Sequence, residues 1–227
     1  MTGEGPMGAH VLAVDGKASK LSVGTFGEGL FESDNQGRSW TQHKGGLSAI
    51  GDDYVAGVMY TNLGLWARSI GRGYGFKNQR GTWRWWGPKQ LKKQYRFPTG
   101  FHRLPGGRVL LATTDGLRVA DPRGKRWRKA RKWQVPSEYV TAISGGSDGS
   151  VWTGDSNGVN RFYADGRSQR IAIRHGLPQG TVRRVLSASG VVAVATDGGV
   201  ALSTNGRQWN RVQLGRRELV SYAHALA

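Results

Sequence analysis

The sequence predicts an all-β protein, a five-bladed β-propeller of four-stranded antiparallel blades, on three observations. The first is a repeat. The stretch GTFGEGLFESDNQGRSW (Gly24–Trp40) recurs in four looser copies, at Ala67–Trp83, Ala112–Trp127, Thr153–Arg170 and Ala195–Trp209. Each copy turns at a glycine, runs through a short alternating strand, turns again on polar residues and Gly, and usually ends on Trp. The second is the period: the first-turn glycines Gly29, Gly73, Gly116, Gly158 and Gly199 are separated by 44, 43, 42 and 41 residues. A period of about 43 residues built from short strands is the mark of a propeller, one blade per unit. The third is negative. No segment sustains a 3.6-residue apolar period, so no long helix is expected.

Taken in order, the blades fall at approximately 10–46, 47–92, 93–135, 136–178 and 179–217, in one domain over 1–227. Residues 1–9 read as a loose leader. Innermost strands are expected at His10–Val14, Val55–Val58, Phe101–Leu104, Val140–Ile143 and Val182–Val185. Second strands follow at Leu21–Thr25, Gly64–Arg68, Arg108–Thr113, Ser150–Gly154 and Val191–Ala195, linked by turn dipeptides such as Asp15-Gly16 and Asp148-Gly149. Third strands carry the body of the repeat, and fourth strands begin near the Trp. The tail Glu218–Ala227 resembles one more innermost strand. It could close the first blade as a clasp and remove a sheet edge, or mark a piece of a longer propeller.

Composition narrows the function classes. Cysteine is absent, which removes disulfides and thiolate metal sites. No apolar run approaches the roughly 18 residues of a membrane span, and MTGEGPMGAHVLAV lacks the layout of a signal peptide, so a cytoplasmic setting is the default expectation. The balance of 33 Lys+Arg against 15 Asp+Glu, a formal charge of +18, attracts polyanions. Arg outnumbers Lys 23 to 10, and Arg grips phosphate and carboxylate in a bidentate way. A genomic preference for Arg codons would produce the same excess.

Two motifs carry a resemblance. Ser33-Asp34-Asn35-Gln36-Gly37-Arg38-Ser39-Trp40 resembles the Asp-box, with Asn35 in the Asp place, and Ser203–Trp209 is a shorter copy. His175-Gly176-Leu177-Pro178 with Ala195–Val200, and Asp148–Gly154 with Asn157-Gly158-Val159, look like the repeats of two-component-regulator sensor propellers. The resemblance implies blades and not an activity, so function has to be argued from a site.

No catalytic, cofactor or metal site is legible. Gly145-Gly146-Ser147-Asp148-Gly149 matches a nucleophile-elbow string but falls on a hairpin turn, not between a strand and a helix. Gly71–Gly75 is a blade turn with no helix behind it. His10, His43, His102, His175 and His224 lack metal-ligand spacing. A sialidase reading fails for want of its N-terminal arginine segment, although a glycan hydrolase remains a weak alternative.

The charge map is informative. From Tyr54 to Thr114 there is no Asp or Glu against eleven Lys or Arg. This tract holds Arg84, Trp85, Trp86, Lys89, Lys92, Lys93 and Arg96, where aromatic faces interleave with cations as in surfaces that stack bases or sugars and hold phosphate. The alternative is an outer strand whose indoles fill a gap between blades. A second run, Arg123, Lys125, Arg126, Arg128, Lys129, Arg131 and Lys132, lies on the outermost strand of blade 3. Edge protection accounts for some of that charge, but seven cations exceed the need. The two runs predict a basic rim for RNA, DNA or an acidic protein assembly. A glycan or sensor ligand, held near Thr25, Thr114, Asp155, Asp197, Trp66 and Trp152, is the alternative.

Overall fold

A computed structural model describes residues 2–3, 5–44, 53–70, 73–86, 97–136 and 139–212. It is an all-β propeller of five antiparallel blades. The first blade is β2 (Val11–Lys17), β3 (Lys20–Thr25), β4 (Leu30–Ser33) and β5 (Trp40–His43), with β1 (Thr2–Gly3) added outside β5. The second is β6 (Val55–Tyr60), β7 (Gly64–Ser69), β8 (Tyr74–Asn78) and β9 (Trp83–Trp86). The third is β10 (Pro98–Arg103), β11 (Val109–Thr113), β12 (Gly116–Ala120) and β13 (Trp127–Lys129). The fourth is β14 (Ala142–Gly145), β15 (Val151–Asp155), β16 (Gly158–Phe162) and β17 (Ser168–Ile171). The fifth is β18 (Val182–Ala188), β19 (Val191–Thr196), β20 (Gly199–Ser203) and β21 (Asn210–Arg211). Within each blade, strand order follows the chain.

The first-turn glycines each open a third strand or stand just before it, and all five have positive φ, from 80° at Gly29 to 146° at Gly73. Steric room matters as much as torsion. A Cβ at Gly29 or Gly158 would sit 2.2 Å from the carbonyl oxygen of His43 or Ile171 on the fourth strand. Only glycine satisfies both demands. In blades 1 and 3 a threonine ends the second strand and closes this turn: Thr25 and Thr113 donate their hydroxyls to the carbonyls of Gly29 and Gly116, whereas Thr196 in blade 5 donates to the Gln179 carbonyl at 2.8 Å and lies 3.3 Å from that of Gly199.

The second hairpin turn is also built alike in all five blades. A side-chain oxygen of Asn35, Asn78, Asp121, Asp165 or Asn205 accepts backbone N–H groups from the residues that follow. This Asx geometry imitates a backbone turn. A left-handed glycine then completes each one, at Gly37, Gly81, Gly124, Gly166 and Gly206.

Several boundaries differ from the expectation. The first strand runs Val11–Lys17 rather than His10–Val14, because Lys17 still pairs with Lys20 across a tight turn. The third blade opens at Pro98, a residue tolerated at the start of a strand. The segment read as a loose leader contributes β1, whose Thr2 and Gly3 pair with Thr41 and Trp40. The tail Glu218–Ala227 lies outside the described residues.

The chain divides into two compact units, Met1–Leu111 with Val119–Arg128, and Ala112–Arg118 with Lys129–Ala227. In the first, Leu30, Val55, Val58, Tyr60, Leu65 and Ala67 form one core layer between blades 1 and 2. A second layer gathers Met59, Trp66, Tyr74, Phe76, Val109, Leu111 and Ala120. In the second unit, Trp152, Val159, Ile171, Leu177, Val182, Val194, Ala201 and Trp209 pack between blades 4 and 5. A single blade has two apolar faces and cannot bury both by itself, so these layers supply the stability. Burying an indole such as Trp66 is worth up to about 5 kcal/mol at about 25 cal/mol per Å².

Candidate functional site

In the first unit, β9 places Trp83, Arg84, Trp85 and Trp86 on a sheet edge. Trp83 and Trp85 stack on one another with centroids 4.7 Å apart and both lean on the first core layer. Trp85 can lie flat because its cross-strand neighbour is Gly75, where a Cβ would come within 2.2 Å of the ring. Trp86 stacks on Trp66 at 6.1 Å and meets Trp127 at 5.7 Å. The two extra indoles are therefore partly buried packing elements, and Arg84 is the exposed member of the strand.

The turn that follows β12 is seated on this aromatic layer. A Cβ on Gly124 would lie 2.7 Å from ring carbons of both Trp66 and Trp86, and its φ is +67°. Asp121 holds the turn from inside: its carboxylate accepts N–H groups of Arg123, Lys125 and Arg126 at 2.9, 3.0 and 2.8 Å. Trp127 closes it by donating Nε1–H to the Gly124 carbonyl. With backbone and carboxylate engaged, the side chains of Arg123, Lys125, Arg126 and Arg128 point to solvent, all exposed. The structure thus brings Arg84 and these four cations onto neighbouring blades of one unit. The nominated residues Lys89, Lys92, Lys93 and Arg96 lie outside the described residues.

In the second unit the chain continues through Lys129, Arg131 and Lys132, also exposed. Ala130 N–H bonds the Leu117 carbonyl at 3.0 Å and keeps the chain on the blade edge. Lys132 Nζ reaches the Ala164 carbonyl at 3.3 Å and covers the Trp133 ring. None of the seven cations of the run forms an ion pair with a described carboxylate.

Elsewhere the carboxylates are taken. Glu28, Glu32, Asp34, Asp115, Asp148, Asp155, Asp165 and Asp197 pair with Lys44, Lys77, Lys20, Arg118, Arg161, Arg170, Arg167 and Arg183. Some of these pairs are structural pins. Arg170 grips Asp155 through both terminal nitrogens at 2.5 and 2.7 Å, with Asp155 almost wholly buried. Arg161 lies between the rings of Trp152 and Tyr163 and bonds Asp148 at 2.7 Å. Burial raises the Asp148 pKa, but the Ser150 hydroxyl and N–H and the Arg161 guanidinium outweigh it and hold the carboxyl at about 2.

The residues nominated for the alternative ligand are mostly interior. Thr25, Asp155, Trp66 and Trp152 are buried, while Thr114 and Asp197 are half-buried. Exposed aromatics instead occur at Phe26 and Tyr54, an edge-to-face pair with centroids 4.6 Å apart. Sequence reasoning passed over this pair because Phe26 stands at a turn position of the first repeat and Tyr54 lies outside the repeat, so neither was marked as an exposed ring. Among the described residues, no three His, Cys, Asp or Glu side chains gather where a metal ion could be held. No described helix is long and apolar enough to cross a membrane.

No family model matches the chain, and no curated protein is similar in sequence. Solved structures do match. The extracellular domain of the putative hybrid two-component system BT3049 from B. thetaiotaomicron superposes with a TM-score of 0.71 at 19% identity, covering 91% of this chain and 28% of that one. Catalytically inactive virginiamycin B lyase from Staphylococcus aureus with quinupristin gives 0.71 at 14%, covering 96% and 75%. YCF48 from Cyanidioschyzon merolae gives 0.65 at 12%, covering 94% and 75%. The chain therefore spans little more than a quarter of the sensor domain it matches. At these identities the likeness is one of fold, a propeller resembling those of two-component-regulator sensors. Because sensors and lyases share it, the fold alone selects neither binding nor catalysis.

Proposed function

We propose that this propeller is a non-catalytic binding scaffold that docks a polyanionic or acidic partner, a nucleic acid or a larger macromolecular assembly, through its basic outer strands. One observation carries the reading. Arg123, Lys125, Arg126, Arg128, Lys129, Arg131 and Lys132 are all exposed with no described carboxylate against them, while eight carboxylates pair with other cations. Leaving this much charge uncompensated in one run of the chain raises the self-energy of the fold, and an anionic partner relieves it. In this reading Lys89, Lys92, Lys93 and Arg96, with Arg84, also contribute cations to partner binding. Trp85 and Trp86 support it from beneath, and the Asp-box-like turns at Asn35 and Asn205 shape hairpins. The test is fluorescence anisotropy with a labelled 20-mer nucleic acid. Affinity should fall steeply, on the order of a thousand-fold, between roughly 50 and 200 mM salt if about six phosphates are contacted. A flat salt response removes the reading.

The exposed Phe26–Tyr54 pair favours a second reading, a carbohydrate or sensor ligand stacked on those rings. A glycan array with neutral ligands separates the two. Binding that survives high salt and is lost in Tyr54→Ala would favour the sugar.

A further inference from the structure

The polyanion reading leaves open what the partner presents. In the second unit, Lys129 ends the outer strand of blade 3, Arg131 and Lys132 follow it, and Lys132 is tied to the Ala164 carbonyl. That contact sets the basic segment beside the second turn of blade 4, where Arg167 has 74% of its side chain in solvent. Arg167 uses Nε to bond Asp165 at 2.7 Å, and Asp165 also accepts the Arg167 N–H at 2.9 Å. The turn is rigid at its root, and the guanidinium is presented outward. Nothing in the repeat pattern singled this arginine out.

The aromatic rings of the same surface are covered. Tyr163 is held between Arg161 at 4.4 Å and Arg167 at 5.1 Å, and its hydroxyl bonds Gln169 at 2.8 Å. Trp133 carries Lys132 over its ring at 5.7 Å. Proteins that hold single strands offer bare aromatic faces for unstacked bases, each worth about 1–3 kcal/mol. Here cations cover the rings. We infer that Lys129, Arg131, Lys132 and Arg167 form a phosphate-backbone contact for double-stranded nucleic acid, which reads the charged rails of the duplex and not its bases. A duplex suits four fixed cations because its phosphates are fixed too, at one charge per about 1.7 Å of axis.

The inference rests on the polyanion reading, and one titration series separates their failures. Full-length protein is titrated against a 20-bp duplex, its single strand and poly-glutamate across a salt range, with AT-rich and GC-rich duplexes compared. The expected result is several-fold tighter binding to duplex than to single strand, with AT-rich and GC-rich duplexes alike. In the variant carrying Lys129→Ala, Arg131→Ala, Lys132→Ala and Arg167→Ala, the slope of log K against log salt should fall by about three to four. A variant with Arg131→Lys and Arg167→Lys should keep the wild-type slope, which distinguishes lost charge from lost fold. An unchanged slope in the alanine variant, preference for the single strand, or tighter binding to poly-glutamate overturns the duplex inference and leaves the polyanion reading standing. Failure to bind any of the three probes overturns both.

Discussion

The run Arg123–Lys132 and the arginines of blade 4 show what the same side chain does in two settings. Arg170 meets a buried carboxylate and becomes part of the fold, its charge cancelled by Asp155. Arg161 is likewise enclosed, by Trp152, Tyr163 and Asp148. Arg126 and Arg128 are exposed, and the one acid nearby in sequence, Asp121, turns its oxygens to the backbone instead. The placement of acids therefore divides the cations into structural and free. The free ones are the candidates for function, together with Arg167, whose pair with Asp165 is exposed and engages only its Nε.

The contrast can be broken most severely at Arg170. Arg170→Met leaves Asp155 buried without its counter-charge and should destabilise the protein by about 3 kcal/mol, read as a shifted urea midpoint. The same change at Arg126 should move the midpoint by less than about 0.5 kcal/mol. Next is Gly124→Ala, which combines a left-handed φ with a clash against Trp66 and Trp86. It should cost about 2 kcal/mol or more and lower indole fluorescence anisotropy as the layer loosens. Asp121→Ala removes the acceptor of three exposed N–H groups and should cost about 1 kcal/mol. It should also weaken duplex binding by splaying the cations, although it deletes a negative charge; tighter binding would show that charge outweighs geometry.

Acid sharpens the comparison more gently. Asp148 titrates at about 2 in the folded protein, below its unfolded value. The folded state then binds fewer protons, so this contribution is present above the unfolded pKa and is lost as pH falls from about 4 towards 2. Thermal melts of Asp148→Asn should be flatter across that interval than those of wild type. The smallest structural effect belongs to the free run: replacing Arg123, Lys125 and Arg126 together by Ala should leave the melting temperature within a few degrees of wild type.

The repeat, the strand order and the position of the first-turn glycines were legible because they follow from local torsion and alternation. Gly29 and Gly158 need a positive φ whatever surrounds them, and that requirement is written at a fixed place in each repeat. The second-turn caps were only half legible. Asn35 and Asn205 stand in recognisable motifs, whereas Asn78, Asp121 and Asp165 do the same work at differing distances from their glycines. Strand β1 had no local signal, since Thr2 and Gly3 are strand only because the edge of β5 offers unpaired backbone groups.

By itself, then, the sequence determined the all-β class, the five-fold repeat and the excess of positive charge, all properties of composition and near-neighbour order. The tertiary structure decided which indoles are covered and which cations lack acids. Trp85 and Trp86 pack because Gly75, on the neighbouring strand, and Gly124, in a turn of the third blade, leave room for their rings. Lys132 meets the second turn of blade 4, the turn that carries Arg167, because it reaches across to the Ala164 carbonyl. Burial and charge compensation are set by contacts between residues remote in the chain, and a linear pattern does not record them.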